Sequence, residues 1–207
     1  MRKLKVINLF GAPGVGKSSA AAGLFYYMKR DGFSVEQVTE YAKYLILSGN
    51  EKTLLNEPGK LLAEQFHKQK ILTDMYDYAI TDSPLPLVSF YNENLTKNFT
   101  PYNFDLFDQF DNINLFLSRD LSGGAIYEEE GRIHSREESI RINGELKEYL
   151  TKHGIGFVDF IVDRDIASHL LKHIQRIEWI EREVPMHAQL HDPVALALVK
   201  QFTETKG

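Results

Sequence analysis

There is no cysteine among the 207 residues, which excludes disulfides and thiolate metal sites and suits a reducing compartment. No apolar run approaches the ~20 residues of a membrane-spanning helix, and the N-terminus lacks a signal-peptide core. A soluble, intracellular chain with no membrane partner is therefore expected. Basic excess is lacking too: 24 Lys and Arg against 29 Asp and Glu leave a net charge of −5. Global attraction to nucleic acid or acidic membranes is excluded, and only local basic patches remain open. The histidines show no H-E-x-x-H spacing, and His169 and His173, four apart, have no third ligand in view, so packing is favoured over metal binding. No repeat or low-complexity segment is present. What remains is a chain long enough to bury a core, expected as one domain over 1–182 and a tail over 183–207 with one short helix, Val194 to Val199.

What is present is concentrated in K-V-I-N-L-F-G-A-P-G-V-G-K-S-S, Lys5 to Ser19. A short apolar strand stops at Gly11, turns through Ala12, Pro13, Gly14, Val15 and Gly16, and meets Lys17, Ser18 and Ser19 at the head of an alanine-rich helix. This order suits a phosphate-binding loop. Glycines permit backbone dihedrals and close approaches that a Cβ blocks, so successive N–H groups can converge on phosphate oxygens. Lys17 can reach the β- and γ-phosphates and the Ser18 hydroxyl can hold Mg²⁺. The helix aims its positive end at the same anion.

Along the chain, apolar periodicity predicts helices over 19–30, 41–47, 58–75, 85–95, 136–153 and 163–182. Strands are expected over 5–10, 34–39, 78–81, 113–117 and 156–162. The region 98–111 reads as a loop with a helical turn or more. The polar, glycine-rich stretch 121–135, within a lid of about 120–140, is too polar for core. Ser135 and Glu138 are spaced as a capping box. Strands alternating with helices predict an α/β fold: a five-stranded, mostly parallel sheet with helices on both faces. The carboxyl ends of such strands form the ligand edge, which gathers the glycine loop, Glu40, Asp82 and Arg119.

Phosphoryl transfer needs a held triphosphate, Mg²⁺ on its oxygens, an acceptor in line and positive charge over the transition state. Asp82, after the third strand, suits metal support, against the alternative of a turn aspartate before Ser-Pro. Glu40 suits acceptance of a hydroxyl proton, against a glutamate that merely complements a helix dipole. Arg132 and Arg136 suit a flap closing on the γ-phosphate, against solvated arginines paired with Glu128 to Glu130 or Glu137. Arg119 has the same pair of readings and can also stack on adenine. Gln65 and Gln69 suit a base edge or simple solvation. The aromatics around Tyr41, Tyr44 and Tyr91 suit core, with one or two lining a base pocket.

The runs F-G-A-P-G-V-G-K-S-S, V-T-E-Y-A-K (Val38 to Lys43), I-T-D-S-P-L (Ile80 to Leu85) and G-R-I-H-S-R-E-E-S (Gly131 to Ser139) together carry a resemblance. The chain resembles small P-loop kinase-like ATPases of tailed bacteriophages. These are related to ribosylnicotinamide kinase domains and, more distantly, to deoxynucleoside and nucleoside monophosphate kinases. The resemblance spans Lys3 to about Arg176. It implies ATP and Mg²⁺ as cofactors, Lys17 and Ser18 on phosphate and metal, Asp82 as metal support, Glu40 on the acceptor hydroxyl, and Arg132 and Arg136 as lid arginines. It also implies a cytoplasmic setting, the host's if phage-encoded. Tyr41 stands where the nucleoside kinases usually carry proline, and Ser83 where they carry arginine, which leaves the acceptor open.

The function expected is therefore transfer of the ATP γ-phosphate to a nucleoside- or nucleotide-like acceptor. One alternative is a hydroxymethylated pyrimidine in phage DNA as acceptor. Another is an ATPase or nucleotide-switched binding module with no small-molecule acceptor. Homo-oligomerisation is left open.

Overall fold

The computed structural model describes residues 3–50, 56–92, 96–119 and 136–183. Five strands, β1 (Lys5–Phe10), β2 (Val35–Val38), β3 (Tyr78–Thr81), β4 (Asp111–Arg119) and β5 (Val158–Val162), form one parallel sheet in the order β2-β3-β1-β4-β5. Every residue of β1 and β3 is buried, so both faces of these strands are covered, as parallel sheets require. Val6, Ile7, Leu9 and Phe10 are wholly removed from solvent, each worth about 1.5–3 kcal/mol of apolar burial. Sequence order reverses at β1, whose sheet neighbours are β3 and β4. In open α/β sheets, ligands collect beyond the carboxyl end at such a reversal.

The chain divides into two compact units. The first comprises Met1–Phe10 and Met28–Ile113. It holds β1 to β3 and the helices α2 (Tyr41–Leu47), α3 (Pro58–Lys70), α4 (Pro86–Phe90) and α5 (Phe99–Phe107). Its register sets Asn8 opposite Thr81 and Thr81 opposite Val38. The Tyr78 ring, 1% exposed, is met edge-on by Phe33 and capped by the Lys5 ammonium 5.6 Å away.

The second unit comprises Gly11–Tyr27 and Asn114–Gly207. Leu115 to Arg119 of β4 pair with Val158 to Val162 of β5. Helix α6 (Arg136–Lys152) and helix α7 (Ile166–Glu183) follow β4 and β5 respectively. Helix α1 (Lys17–Arg30) lies mostly in this unit and approaches α7 closely: a Cβ on Gly23 would lie 2.7 Å from Ala167 Cβ. Along α7, Leu170, Leu171, Ile174, Ile177 and Ile180 are buried at helical spacing.

Beyond shifts of two or three residues at the starts of α1, β5 and α7, four elements differ from expectation. Helix α3 ends at Lys70 rather than Met75, because Thr73 and Asp74 are poor helix formers and Asp74 takes φ +71°. Pro86 opens α4 instead of interrupting a longer helix, its missing N–H costing nothing in a first turn; positions 93–95 lie outside the described residues. Helix α5 occupies most of the region expected as a loop with a helical turn or more. Its buried stripe of Asn103, Leu106 and Phe107 includes an amide, which hid the helical period. Asn103 Nδ2 donates to the Leu85 carbonyl (2.9 Å) and the Ser89 hydroxyl (2.6 Å), so the buried amide nitrogen is satisfied by hydrogen bonds, while Oδ1 has no partner among the described residues. Strand β4 runs two residues further at each end than expected. Arg132, most of the 120–140 lid and the tail helix lie outside the described residues.

Candidate active site

In the second unit the glycine loop follows β1. Gly11, Gly14 and Gly16 take φ of +141°, +78° and +104°, values that disfavour any side chain. At Gly11 a Cβ would also meet the Leu117 carbonyl oxygen at 2.6 Å and Val15 Cγ1 at 3.0 Å, so the close pass of the loop over β4 needs glycine. Lys17 and Ser18 open α1, with Ser18 and Ser19 exposed and Lys17 half-buried. The Lys17 ammonium donates to the carbonyls of Gly11 (2.8 Å) and Ala12 (3.0 Å). These charge-assisted bonds shape the loop around its own lysine.

Two side chains hold the loop from outside. The Arg119 guanidinium, at the end of β4, donates to the Gly14 carbonyl. Ser139 Oγ, on α6 and 5% exposed, donates to the Pro13 carbonyl at 2.9 Å. Ala12, Val15, Arg119, Ser139, Ile140 and Asn143 line a small cavity beside it. Of the two expected lid arginines, Arg136 lies among the described residues, as the first residue of α6.

In the first unit, Glu40 and Asp82 follow adjacent strands. Val38 pairs with Thr81, so Glu40, two residues on, and Asp82, one residue on, share the carboxyl edge of β2 and β3. Glu40 is half-buried at the N-cap of α2 in an extended conformation, without a side-chain capping bond. Asp82 is buried, 7% exposed. Burial of the hydroxyl and then the charge of Glu40 push the Tyr91 phenol far above its ordinary range, although the residue as a whole is 42% exposed; the phenol stays protonated.

Gln65 organises this edge. It is 1% exposed, its Oε1 accepts the Tyr41 N–H (3.2 Å) and its Nε2 donates to Thr81 Oγ1 (3.3 Å). Thr81 Oγ1 also accepts the Ser83 N–H at 3.1 Å. One amide thus ties the turn after Glu40 to the turn holding Asp82. The solvated reading of Gln65 and Gln69 does not hold, since both are buried on the inner stripe of α3. Tyr41 and Tyr44 stack with ring centroids 5.9 Å apart, and the Lys68 ammonium sits 5.4 Å from the Tyr41 ring.

The sequence offers Gln65 only as a base-edge or solvated residue and gives Ser139 no role, yet the internal tie that each makes carries a readable sign. Each is a polar residue on an otherwise apolar stripe: Leu61, Leu62, Gln65 on α3 and Ser139, Ile142, Leu146, Leu150 on α6. A polar group there must find a buried partner.

No protein-family signature matches this chain, and no curated protein matches it in sequence. Solved structures do match in fold. NadR in complex with NR superposes with a TM-score of 0.58 at 16% identity, over 84% of this chain and 51% of that one. NadR in complex with NAD and AMP-PNP gives 0.59 at 15% identity, over 88% and 51%. The chain therefore spans about half the length of the NadR chains it matches. The Mycobacterium tuberculosis APS kinase CysC in complex with AMPPNP and APS reaches a TM-score of 0.48 at 16% identity, over 86% and 99%, too low to carry weight. At these identities the likeness defines the fold, an α/β P-loop fold.

Proposed function

We propose that this chain is an ATP-dependent kinase passing the γ-phosphate to a hydroxyl or phosphate of a nucleoside- or nucleotide-like acceptor in the cytoplasm. The observation that carries the proposal is the parallel register of β1, β3 and β2. On leaving these strands in one direction, the chain enters the glycine loop, Asp82 and Glu40. The fold of NadR, solved with NR and with AMP-PNP, supports a triphosphate donor and a nucleoside-like acceptor.

In this proposal the loop amides from Gly11 to Ser19 surround the triphosphate and Lys17 neutralises its β- and γ-oxygens. With a hydroxyl acceptor, Glu40 takes the proton. The acceptor oxygen bonds to the γ-phosphorus as the bond from that phosphorus to the β–γ bridging oxygen breaks, and ADP leaves with the electron pair. Arg132 and Arg136 would balance charge on the transferring group. Arg119 bonds Gly14 through an in-plane N–H, so a face of its guanidinium can stack on adenine. The Ser18 hydroxyl and Asp82 carboxylate are hard oxygen donors, and no cluster of three or more His, Cys, Asp or Glu occurs among the described residues. That donor set suits Mg²⁺, which takes one or two protein oxygens beside phosphates and water. Held by these residues, Mg²⁺ would supply neutralising charge to the triphosphate.

The test is ATP turnover against a panel of nucleosides, nucleotides and hydroxymethylated oligonucleotides, with phosphate followed onto the acceptor. One panel member should raise turnover severalfold and become phosphorylated, and Lys17→Ala should abolish the effect. A hydroxymethylated oligonucleotide as that member would identify DNA as the acceptor. Hydrolysis indifferent to every acceptor would replace the kinase with a nucleotide-driven switch.

A further inference from the structure

We propose that Ser139 and Arg119 are positioning residues that preset the phosphate-binding loop by holding the carbonyls of Pro13 and Gly14 outward. The proposal rests on the triphosphate-binding reading of the loop and concerns how that loop keeps its shape.

A trans peptide is planar, and its C=O and N–H point in opposite directions; the described chain contains no cis peptide. Fixing a carbonyl therefore fixes the direction of the next residue's amide. Ser139 Oγ donates to the Pro13 carbonyl, which turns the Gly14 N–H away from α6. Arg119 donates to the Gly14 carbonyl and so orients the adjoining plane that carries the Val15 N–H, which closes the turn onto the Ala12 carbonyl at 3.3 Å. Pro13 has no N–H of its own and Gly14 sits at φ +78°. The carbonyls of this Pro13–Gly14 pair receive the two outside bonds. From the inner side, the Lys17 ammonium holds the Gly11 and Ala12 carbonyls. When Lys17 turns to phosphate, those two bonds are given up, whereas the outer pair can persist. Ser139 and Arg119 then carry the loop's shape through nucleotide binding. Ser139 is buried on the inner stripe of α6, where alanine would pack with less polar cost, so the hydroxyl's use is the bond it makes.

The experiment is titration of the full chain with ATP, ADP and AMP by calorimetry, with turnover kinetics alongside. Ser139→Ala, and the near-isosteric weak donor Ser139→Cys, should weaken ATP and ADP about three- to tenfold, the scale of one hydrogen bond. They should raise the KM for ATP by the same factor with kcat within about twofold, and lower the unliganded Tm by no more than about 1–6 °C, the scale of one hydrogen bond. Exchange of the Gly14 amide with solvent should quicken in both. Retention of wild-type affinity and exchange by both variants overturns the clamp. So does an affinity loss accompanied by a fall in unliganded Tm well beyond that scale. Failure of the unsubstituted chain to bind ATP would instead overturn the nucleotide-binding reading itself.

Discussion

The glycine loop and the Glu40–Asp82 edge are built by opposite means. The loop is shaped from within by dihedrals that only glycine favours at Gly11, Gly14 and Gly16, and is then pinned by Ser139 and Arg119. The edge has ordinary dihedrals at Glu40 and depends on one buried amide, Gln65, reaching Tyr41 and Thr81. The difference teaches where each is vulnerable: the loop to a single added methyl, the edge to loss of a distant side chain.

Glu40→Gln gives the largest expected effect. It keeps the shape of the edge and removes its proton acceptor, so transfer to a hydroxyl acceptor should fall by about 10²–10⁴ with ATP affinity retained. Undiminished transfer would remove Glu40 from the chemistry. Gly11→Ala attacks the loop instead. The new methyl meets the Leu117 carbonyl at 2.6 Å, adding overpacking to backbone strain, about 1–3 kcal/mol each. ATP affinity should drop at least tenfold, and a wild-type isotherm would show that the loop yields to a Cβ.

Gln65→Leu sharpens the contrast by leaving the edge's carboxylates in place without their tie. The lost bonds and stranded polar groups should cost about 1–3 kcal/mol, read as a Tm lowered by about 2–12 °C, with transfer weakened more than ATP binding. An unchanged Tm and unchanged turnover would mean the amide is dispensable. The smallest effect concerns the second unit alone. Burial, and then the cation of Arg176, hold the His173 imidazole below its usual value of 6.5. Below that pH the unfolded chain binds a proton that the folded chain resists, so this contribution to stability is present above pH 6.5 and is lost as pH falls. His173→Leu should reduce the fall in Tm between about pH 7.5 and 5.5. It should not abolish that fall, because burial and Lys152 lower His153 as well.

Much of this was legible in the chain because its causes are local. Strands β1 and β3 and helix α2 fall where apolar runs and breakers place them, and the loop declares itself because glycine, lysine and serine are needed at fixed steps. Asn103, Gln65 and Ser139 were not legible as contacts, since each is a polar residue whose partner lies on another element. Arg119 shows both sides: its place at the end of β4 follows from strand length, but its bond to Gly14 joins residues 105 apart.

By itself, the order of residues determined a phosphate loop between a strand and a helix, an alternating α/β plan and two carboxylates just beyond strand ends. Those features depend on dihedral preference and side-chain period, which act over a few neighbours. Only the tertiary structure decided the sheet order that makes β1 the reversal strand, the amide that ties the two carboxylate turns and the hydroxyl and guanidinium that hold the loop's carbonyls. Hydrogen bonds between distant segments leave no period to read. They become visible only when burial forces each polar group to find a partner.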